Sequence, residues 1–393
     1  TNIAEAGTLT LEWFTLTQFT NNATYADLTA KSAIHIANLS SPLPGFCYTP
    51  NFSWMNQLTH PSFLSLAAQL IDPASGAFQD ATVTWGGGSD SFFEHLLKYA
   101  RLSNTNNTIF INTWKTAVDS SIKTLLKTST VGNHVYLADL DDQGRIRHVG
   151  SRVHTSHLAC FHAGNWYVVV LSQHASTANG VVGGKLLEDQ TIVDIALQLN
   201  DGCWNTYAST ETGIGPESFA FISADGNFTG SPLTAQQLAY YESHGFYTTD
   251  SAYVQRPEVL ESNFYAWRIT GDTKCLDRAA TAIAKFATFL PGKVGFAGLN
   301  DVDSAAAGHI DATESFWFAE TKYLYLTFDD PGHISLDDYA LPSSLMRIPR
   351  FLCFSDVFNT ECHPLKAPLH ATRTPLRTKK STYPINDEYP LNK

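Results

Sequence analysis

Residues 260–289, LESNFYAWRITGDTKCLDRAATAIAKFATF, decide the fold class. Phe264, Trp267 and Ile269 keep helical spacing up to the turn Thr270-Gly271-Asp272, and Leu276, Ala280, Ile283 and Phe286 resume it beyond. Two apolar-striped helices joined by so short a turn fold back on each other as a hairpin. The plan recurs 250 residues upstream, where Thr20, Asp27 and Ala30 fall in register with Thr270, Asp277 and Ala280. There Ala4–Phe19 carries Leu9, Leu11, Phe14, Leu16 and Phe19 as an expected apolar stripe, and Tyr25–Ile36 continues after a polar turn. Asp90–Leu102 with Asn112–Leu126, and Thr313–Phe328, have the periodicity of further helices. Hairpins that repeat without a short fixed period indicate an all-α toroid of paired helices rather than an open solenoid. His134–Leu140 and Trp166–Leu171, rich in Val and Tyr, are expected to add minor β elements. The Gly-rich segments Trp85-Gly86-Gly87-Gly88 and Thr212–Pro216 read as loops outside the core, gathered at one end of the ring where a site can form.

With 393 residues, 44% of them apolar, the chain can bury a large core. Only 16% are charged and the net charge is −12, which gives no electrostatic attraction to nucleic acid or an anionic membrane. No window approaches the roughly 18–20 apolar residues of a transmembrane helix. Residues 1–366 read as one domain, broken by an atypical insertion at 340–356, and the basic, Pro- and Thr-rich residues 367–393 as a disordered tail. Five Asn-x-Ser/Thr sequons, at Asn22, Asn38, Asn51, Asn106 and Asn227, point to the secretory pathway. The six cysteines, at 47, 160, 203, 275, 353 and 362, are too sparse for a disulfide scaffold and lack CxxC metal spacing.

In a chain so poor in charge, the company kept by its acids is informative. Asp90 follows three glycines, Glu217 follows Gly215-Pro216, and Glu258 sits in Arg256-Pro257-Glu258 with Glu261 on the same helical face. Glu314 and Glu320 flank Phe316-Trp317-Phe318. Any one acid is accounted for by a helix N-terminus, whose dipole favours negative charge. The set is not, because Glu261 and Glu320 fall within apolar faces where an unpaired charge is costly. Carboxylates interleaved with aromatics suit a sugar, accepting hydroxyl protons while the rings stack on its C–H side. A pair of carboxylates then serves glycoside hydrolysis.

Seven stretches carry a more specific signal: Ile3-Ala4-Glu5-Ala6-Gly7, TWGGGSDSFFEHLLK at 84–98, SHLACF at 156–161, TGIGPE at 212–217, QRPEVLESNFYAWRITGD at 255–272, ESFWFAETKYLYL at 314–326 and FNTECHP at 358–364. In content and order they resemble the class I α-1,2-mannosidases, glycoside hydrolase family 47. The resemblance implies an (α/α)7 barrel that removes terminal α-1,2-linked mannose from high-mannose N-glycans with inversion. It implies Glu258 as the catalytic base, Asp90 as a second essential carboxylate, and Thr360 as the ligand that binds Ca²⁺ through hydroxyl and carbonyl oxygens, a hard donor set suited to that ion. Phe316 is implied to stack on the mannose, and Glu5, His157, Glu217, Arg256, Glu261 and Glu320 to contact the glycan or calcium-bound waters. Cys160 and Cys203 are implied as a disulfide. Gly88 stands where the strictest members carry Arg, which implies broad α-1,2 trimming. The implied location is the Golgi or endoplasmic reticulum lumen, or outside the cell.

Two departures qualify those implications. In the family the general acid is a Glu in a Phe-Glu-x-x-Ile-Arg motif upstream of the Ile-Ala-Glu segment, and no such motif occurs here; Phe93-Glu94 is followed by His-Leu-Leu-Lys. The first barrel helices are therefore expected to be missing, with activity impaired unless a complementing N-terminal fragment supplies them. A catalytically silent glycan-binding, quality-control relative is the alternative. The second departure is the insertion: 17 residues separate Tyr339 from Val357, just ahead of Thr360.

Overall fold

The computed structural model describes residues 1–40, 66–105, 107–146, 148–149, 152–174, 186–223, 233–329, 334, 336, 355–359 and 361–367. Its helices are α1 (Ile3–Ala6), α2 (Thr10–Thr20), α3 (Thr24–Ala37), α4 (Asp90–Ser103), α5 (Ile109–Thr124), α6 (Phe161–His174), α7 (Leu186–Ala208), α8 (Ala235–His244), α9 (Glu258–Thr270), α10 (Lys274–Phe289), α11 (Ser315–Glu320) and α12 (Lys322–Phe328).

The helices sort into two layers by how they are buried. On α4 and α9 nearly every side chain is covered, whereas α10 buries one stripe, Cys275, Ala279, Ala282 and Phe286. Helix α3 likewise buries only Thr29, Ala33 and Ile36. A helix covered all round lies between neighbours, and one with a single stripe lies outside them. By contact, α2, α4, α6, α9 and α12 touch in succession as an inner layer, in which α2 is less covered and buries only Thr10, Leu11, Phe14 and Thr17; α3, α5, α7 and α10 fold back on α2, α4, α6 and α9. The inner helices α2, α4 and α9 end on left-handed residues, Asn21 (φ 53°), Asn104 (φ 47°) and Gly271 (φ 67°). Asn and Gly tolerate that conformation and reverse the chain outward. This is the hairpin plan of an (α/α) barrel.

Short strands fill the connections at the other end. β3 (His148–Val149), β4 (Arg152–Ser156), β5 (Ser218–Phe221) and β6 (Tyr247–Asp250) form an antiparallel sheet in that order, with the pairs β1 (Leu126–Thr128) and β2 (Val135–Leu137), and β7 (Gly298–Leu299) and β8 (His309–Ile310), beside it. A last hairpin, β9 (Ser355–Phe358) and β10 (Pro364–Ala367), packs against α4.

Several expectations need correction. Ala4–Phe19 is two helices, broken at Gly7-Thr8-Leu9, because α1 packs on α4: a side chain at Gly7 would meet Phe92 at 2.5 Å. Leu11 and Phe14 are buried, but Leu9, Leu16 and Phe19 are exposed, since that spacing winds around the helix. Trp166–Leu171 is not a strand but lies inside α6, where Trp166 and Tyr167 are fully buried. Packing against α4, α7 and α9 overrides their β preference. The glycine loops are not outside the core either: Trp85 stacks on Phe93 at 4.5 Å and donates to Ser121 Oγ at 2.7 Å, and Thr212, Ile214, Gly215 and Pro216 are buried. Residues 340–354 of the insertion and 368–393 of the tail lie outside the described residues, as do Cys47, Cys353, Asn51, Asn106 and Asn227.

Cys160, in the 3₁₀ turn before α6, is disulfide-bonded to Cys203 in α7 at a separation of 43 residues. Closing a loop of that length removes unfolded-chain entropy worth about 4 kcal/mol. A Cys160→Ser/Cys203→Ser variant is expected to lose about that much in urea unfolding. A loss within error of zero would show that the helices α6 and α7 are held by packing alone.

Candidate active site

The turn from Trp85 to Ser89 aims α4. Gly86 carbonyl accepts from the N–H groups of Ser89 (3.1 Å) and Asp90 (3.0 Å). A Cβ on Gly86 would sit 2.4 Å from Ser156 Oγ, and Gly88 has φ +91°, a conformation that favours glycine. Asp90 thereby opens α4, as Glu258 opens α9, with Glu261 one turn on. The sheet delivers three more residues: His157 follows β4, Glu217 precedes β5, and Arg256 lies between β6 and α9. The His157 N–H donates to the Glu217 carbonyl at 3.0 Å. Gln255, just ahead, is buried in a left-handed conformation (φ 65°), a strained position for a residue other than glycine.

These elements enclose a cavity of about 200 Å³, lined by Asp90, Ser91, Glu94, Leu158, Phe161, Arg256, Glu258, Glu261, Phe316, Glu320 and Glu361. It is smaller than the roughly 300–1,000 Å³ of pockets for drug-sized ligands, a size for one sugar ring. Of the expected site residues, Asp90, Arg256, Glu258, Glu261, Phe316 and Glu320 line it. His157 and Glu217 stand behind the wall. Arg256 Nε donates to Glu217 Oε2 at 2.6 Å while its guanidinium lies 5.6 Å from the Phe316 ring centre. Glu5 does not line the cavity; it is exposed on α1 and accepts from the Thr1 hydroxyl. Thr360 lies outside the described residues. Its neighbours do not: Glu361 lines the cavity, and the Asn359 amide donates to Glu12 at 2.9 Å.

Glu94 and Glu361 also line the cavity and Lys98 backs it, none of them an expected site residue. Lys98 is fully buried and ion-paired to Glu94, with Glu261 at 3.8 Å and the Tyr265 ring at 5.7 Å. The available signal was a Glu and a Lys four residues apart in the aromatic- and Leu-rich stretch Phe92–Leu102.

Burial dominates the electrostatics. It raises Asp90 to about 6, against the attraction of the Ser91 N–H. It raises Glu258 to about 7 in spite of Arg256, and Glu261 to about 8 in spite of Lys98. Glu320 rises to about 11, through burial and then repulsion from Glu258, Glu261, Glu361 and Glu94. Burial would depress Lys98, but Glu94, Tyr265 and Glu261 outweigh it and the ammonium stays charged. His157 is pushed down to about 3 by burial and then Arg256, so its imidazole is neutral. Its Nε2 is 3.0 Å from Tyr207 Oη; its Nδ1 is 3.5 Å from Glu258 Oε2, and neither of those last two atoms has a hydrogen-bond partner.

Two outcomes follow. The raised carboxyls hold protons that the unfolded chain has given up, but buried His157 and His162 lack the proton that their unfolded imidazoles carry below their ordinary 6.5, so it is from about pH 6.5 up to about pH 8 that the carboxyls set the balance and the folded chain holds more protons. Stability in metal-free buffer should therefore fall as pH rises across that interval. Thermal melts at pH 7 and pH 8 check this; a higher melting temperature at pH 8 contradicts it. Lys98→Met strands Glu94 and Glu261 without their cation and should cost about 3–5 kcal/mol in chemical unfolding. A cost within error of zero would mean that the ion pair contributes nothing.

The sequence pattern of Glycosyl hydrolase family 47 matches residues 1–367. The chain is 33% identical over 366 residues to the probable mannosyl-oligosaccharide alpha-1,2-mannosidase 1B of Aspergillus clavatus, covering 93% of this chain and 62% of the relative. It is 32% identical over 373 residues to mannosyl-oligosaccharide alpha-1,2-mannosidase 1B of Aspergillus phoenicis, covering 93% and 61%. Among solved structures, the alpha-1,2-mannosidase from Trichoderma reesei is similar with a TM-score of 0.74 at 30% identity, over 93% of this chain and 66% of that one. The chain thus spans about three fifths of the length of the curated relatives it matches. With that match running through every helix of the two layers and every wall of the cavity, the chain belongs to glycosyl hydrolase family 47.

Proposed function

We propose that the protein hydrolyses terminal α-1,2-linked mannose from high-mannose N-glycans, with inversion, calcium dependence and a place in the secretory pathway. The observation that carries this reading is a cavity the size of one sugar ring, lined by acids together with Phe316 and Arg256. Related proteins of the same family are named mannosyl-oligosaccharide alpha-1,2-mannosidases.

In this reading Glu258 accepts the proton of the attacking water. Burial keeps its pKa near the working pH, which a general base needs. Asp90 holds that water in line, and the aromatic face of Phe316 supports the pyranose while Arg256, fixed by Glu217, presents its guanidinium beside the ring.

The donor set suits a divalent cation. Six carboxylates line the cavity against Arg256, with Lys98 behind, and all their donors are hard oxygens. Among the described residues no three His, Cys, Asp or Glu side chains could hold an ion directly. Thr360 would then be the protein ligand, with Glu261, Glu320 and Glu361 bonding its waters. When bound, calcium orients sugar hydroxyls and offsets the negative charge. The Phe-Glu-x-x-Ile-Arg motif of the family's general acid is absent from this sequence. The chain alone is therefore expected to hydrolyse about 10²–10⁴-fold more slowly than when a complementing segment supplies that acid. A second reading is a protein that binds the glycan without cleaving it.

Incubation with a high-mannose oligosaccharide, in calcium and then in EDTA, separates the two. Mannose release that stops in EDTA supports the enzyme, and retention of intact glycan supports the binder. Glu258→Gln and Asp90→Asn should each abolish release while leaving the circular dichroism spectrum unchanged. Full activity in Glu258→Gln would remove that residue from the role of base.

A further inference from the structure

We propose that Asn22 is an N-glycosylation site, carried by the α2–α3 turn at the end of the barrel opposite the cavity. The inference rests on the secretory-pathway reading above. Asn22-Ala23-Thr24 is one of two sequons whose asparagine is among the described residues, and Asn21 to Thr24 are all exposed. Asn21, in a left-handed conformation, ends α2 and throws the next residue outward. Asn22 Oδ1 accepts the Thr24 N–H at 3.2 Å, which fixes the carboxamide beside the threonine of its own sequon. Its Nδ2 donates to no group among the described residues. Asn38, the other described sequon asparagine, has its Nδ2 engaged on the Ile34 carbonyl at 2.9 Å in the last turn of α3.

The position is also compatible with an open cavity. Asp90, Phe161 and Glu258 are the first residues of α4, α6 and α9, so the cavity lies at the N-terminal end of the inner helices. Helix α2 runs parallel to α4, Thr10 meeting His95 at 3.0 Å and Phe14 meeting Tyr99 at 5.8 Å. The C-terminal turn of α2 is therefore at the far end. Phe19, 86% exposed and within one helical turn of Asn22, offers an aromatic face to the first sugar.

The transfer balances without redox chemistry. A bond forms between Asn22 Nδ2 and C1 of the first sugar, the C1–O bond to a lipid-diphosphate oligosaccharide donor breaks, and Nδ2 loses one proton as the lipid diphosphate leaves.

The test is to express the chain behind a secretion signal in a eukaryotic host. Peptide N-glycosidase treatment in ¹⁸O-water, followed by mass spectrometry, reads each converted asparagine. Asn22 should be converted in most chains and Asn38 in few. Asn22→Gln and Thr24→Ala should each lose one glycan's mass with unchanged circular dichroism. Asn22 left unmodified in chains that carry glycan at another sequon overturns the site and leaves the compartment reading standing. Conversion of Asn22 only behind the appended signal, with protein from its native cells bearing no glycan, upholds the site chemistry and overturns the compartment reading.

Discussion

The rest of the structure depends on a crowd of carboxylates kept out of water around a small cavity. Two like charges about 4 Å apart repel by about 4 kcal/mol at the effective dielectric of a protein. A helix N-terminus returns at most about 2 kcal/mol to each acid near it. Asp90, Glu258 and Glu261 all sit in first turns and still have raised pKa values, so desolvation wins at each. Such a site is stable only if protons, fixed cations or a bound cation offset it. Lys98 and Arg256 supply two fixed charges, one on Glu94 and Glu261, the other on Glu217.

The two-layer architecture is what brings the crowd together. Inner helices that run parallel bring their first turns to one end, and each outer helix returns the chain there for the next. The sheet β3–β6 spans the returns and sets His157 and Glu217 in register through one backbone hydrogen bond. The hairpin β9–β10 then brings Glu361 from the far end of the sequence to α4, anchored by Asn359 on Glu12, a contact spanning 347 residues. No local signal encodes that contact.

Legibility followed the same division. The hairpins were readable because short turns and 3.6-residue spacing are local, and Gly271 fulfils the turn seen in its sequence. Trp166–Leu171 was not, because Val and Tyr suit a strand by composition, whereas packing on α4, α7 and α9 holds α6 as a helix. Leu9, Leu16 and Phe19 look like a stripe only when apolar residues are counted without their angle around the helix. Asp90, Glu258 and Glu261 stood out because a charge-poor chain makes acids conspicuous. Lys98 did not, since an i,i+4 Glu–Lys pair usually marks a solvated face; here both partners are buried.

Environment also divides labour among acids of the same chemical kind. Glu94 is paired with Lys98 and Glu217 with Arg256. Glu320 is pushed so far up by burial and its neighbours that it holds its proton at neutral pH. Glu258 differs from all of these. Its Oε2 is a buried carboxylate oxygen with no hydrogen-bond partner, and the nearest candidate, His157 Nδ1, stands 3.5 Å off on a neutral ring. A carboxylate with a free lone pair and a pKa near 7 can pick up and release a proton at little cost. The acids around the cavity therefore differ in environment: the fold pairs Glu94 and Glu217 with fixed cations and leaves Glu258 Oε2 without a hydrogen-bond partner among the described residues.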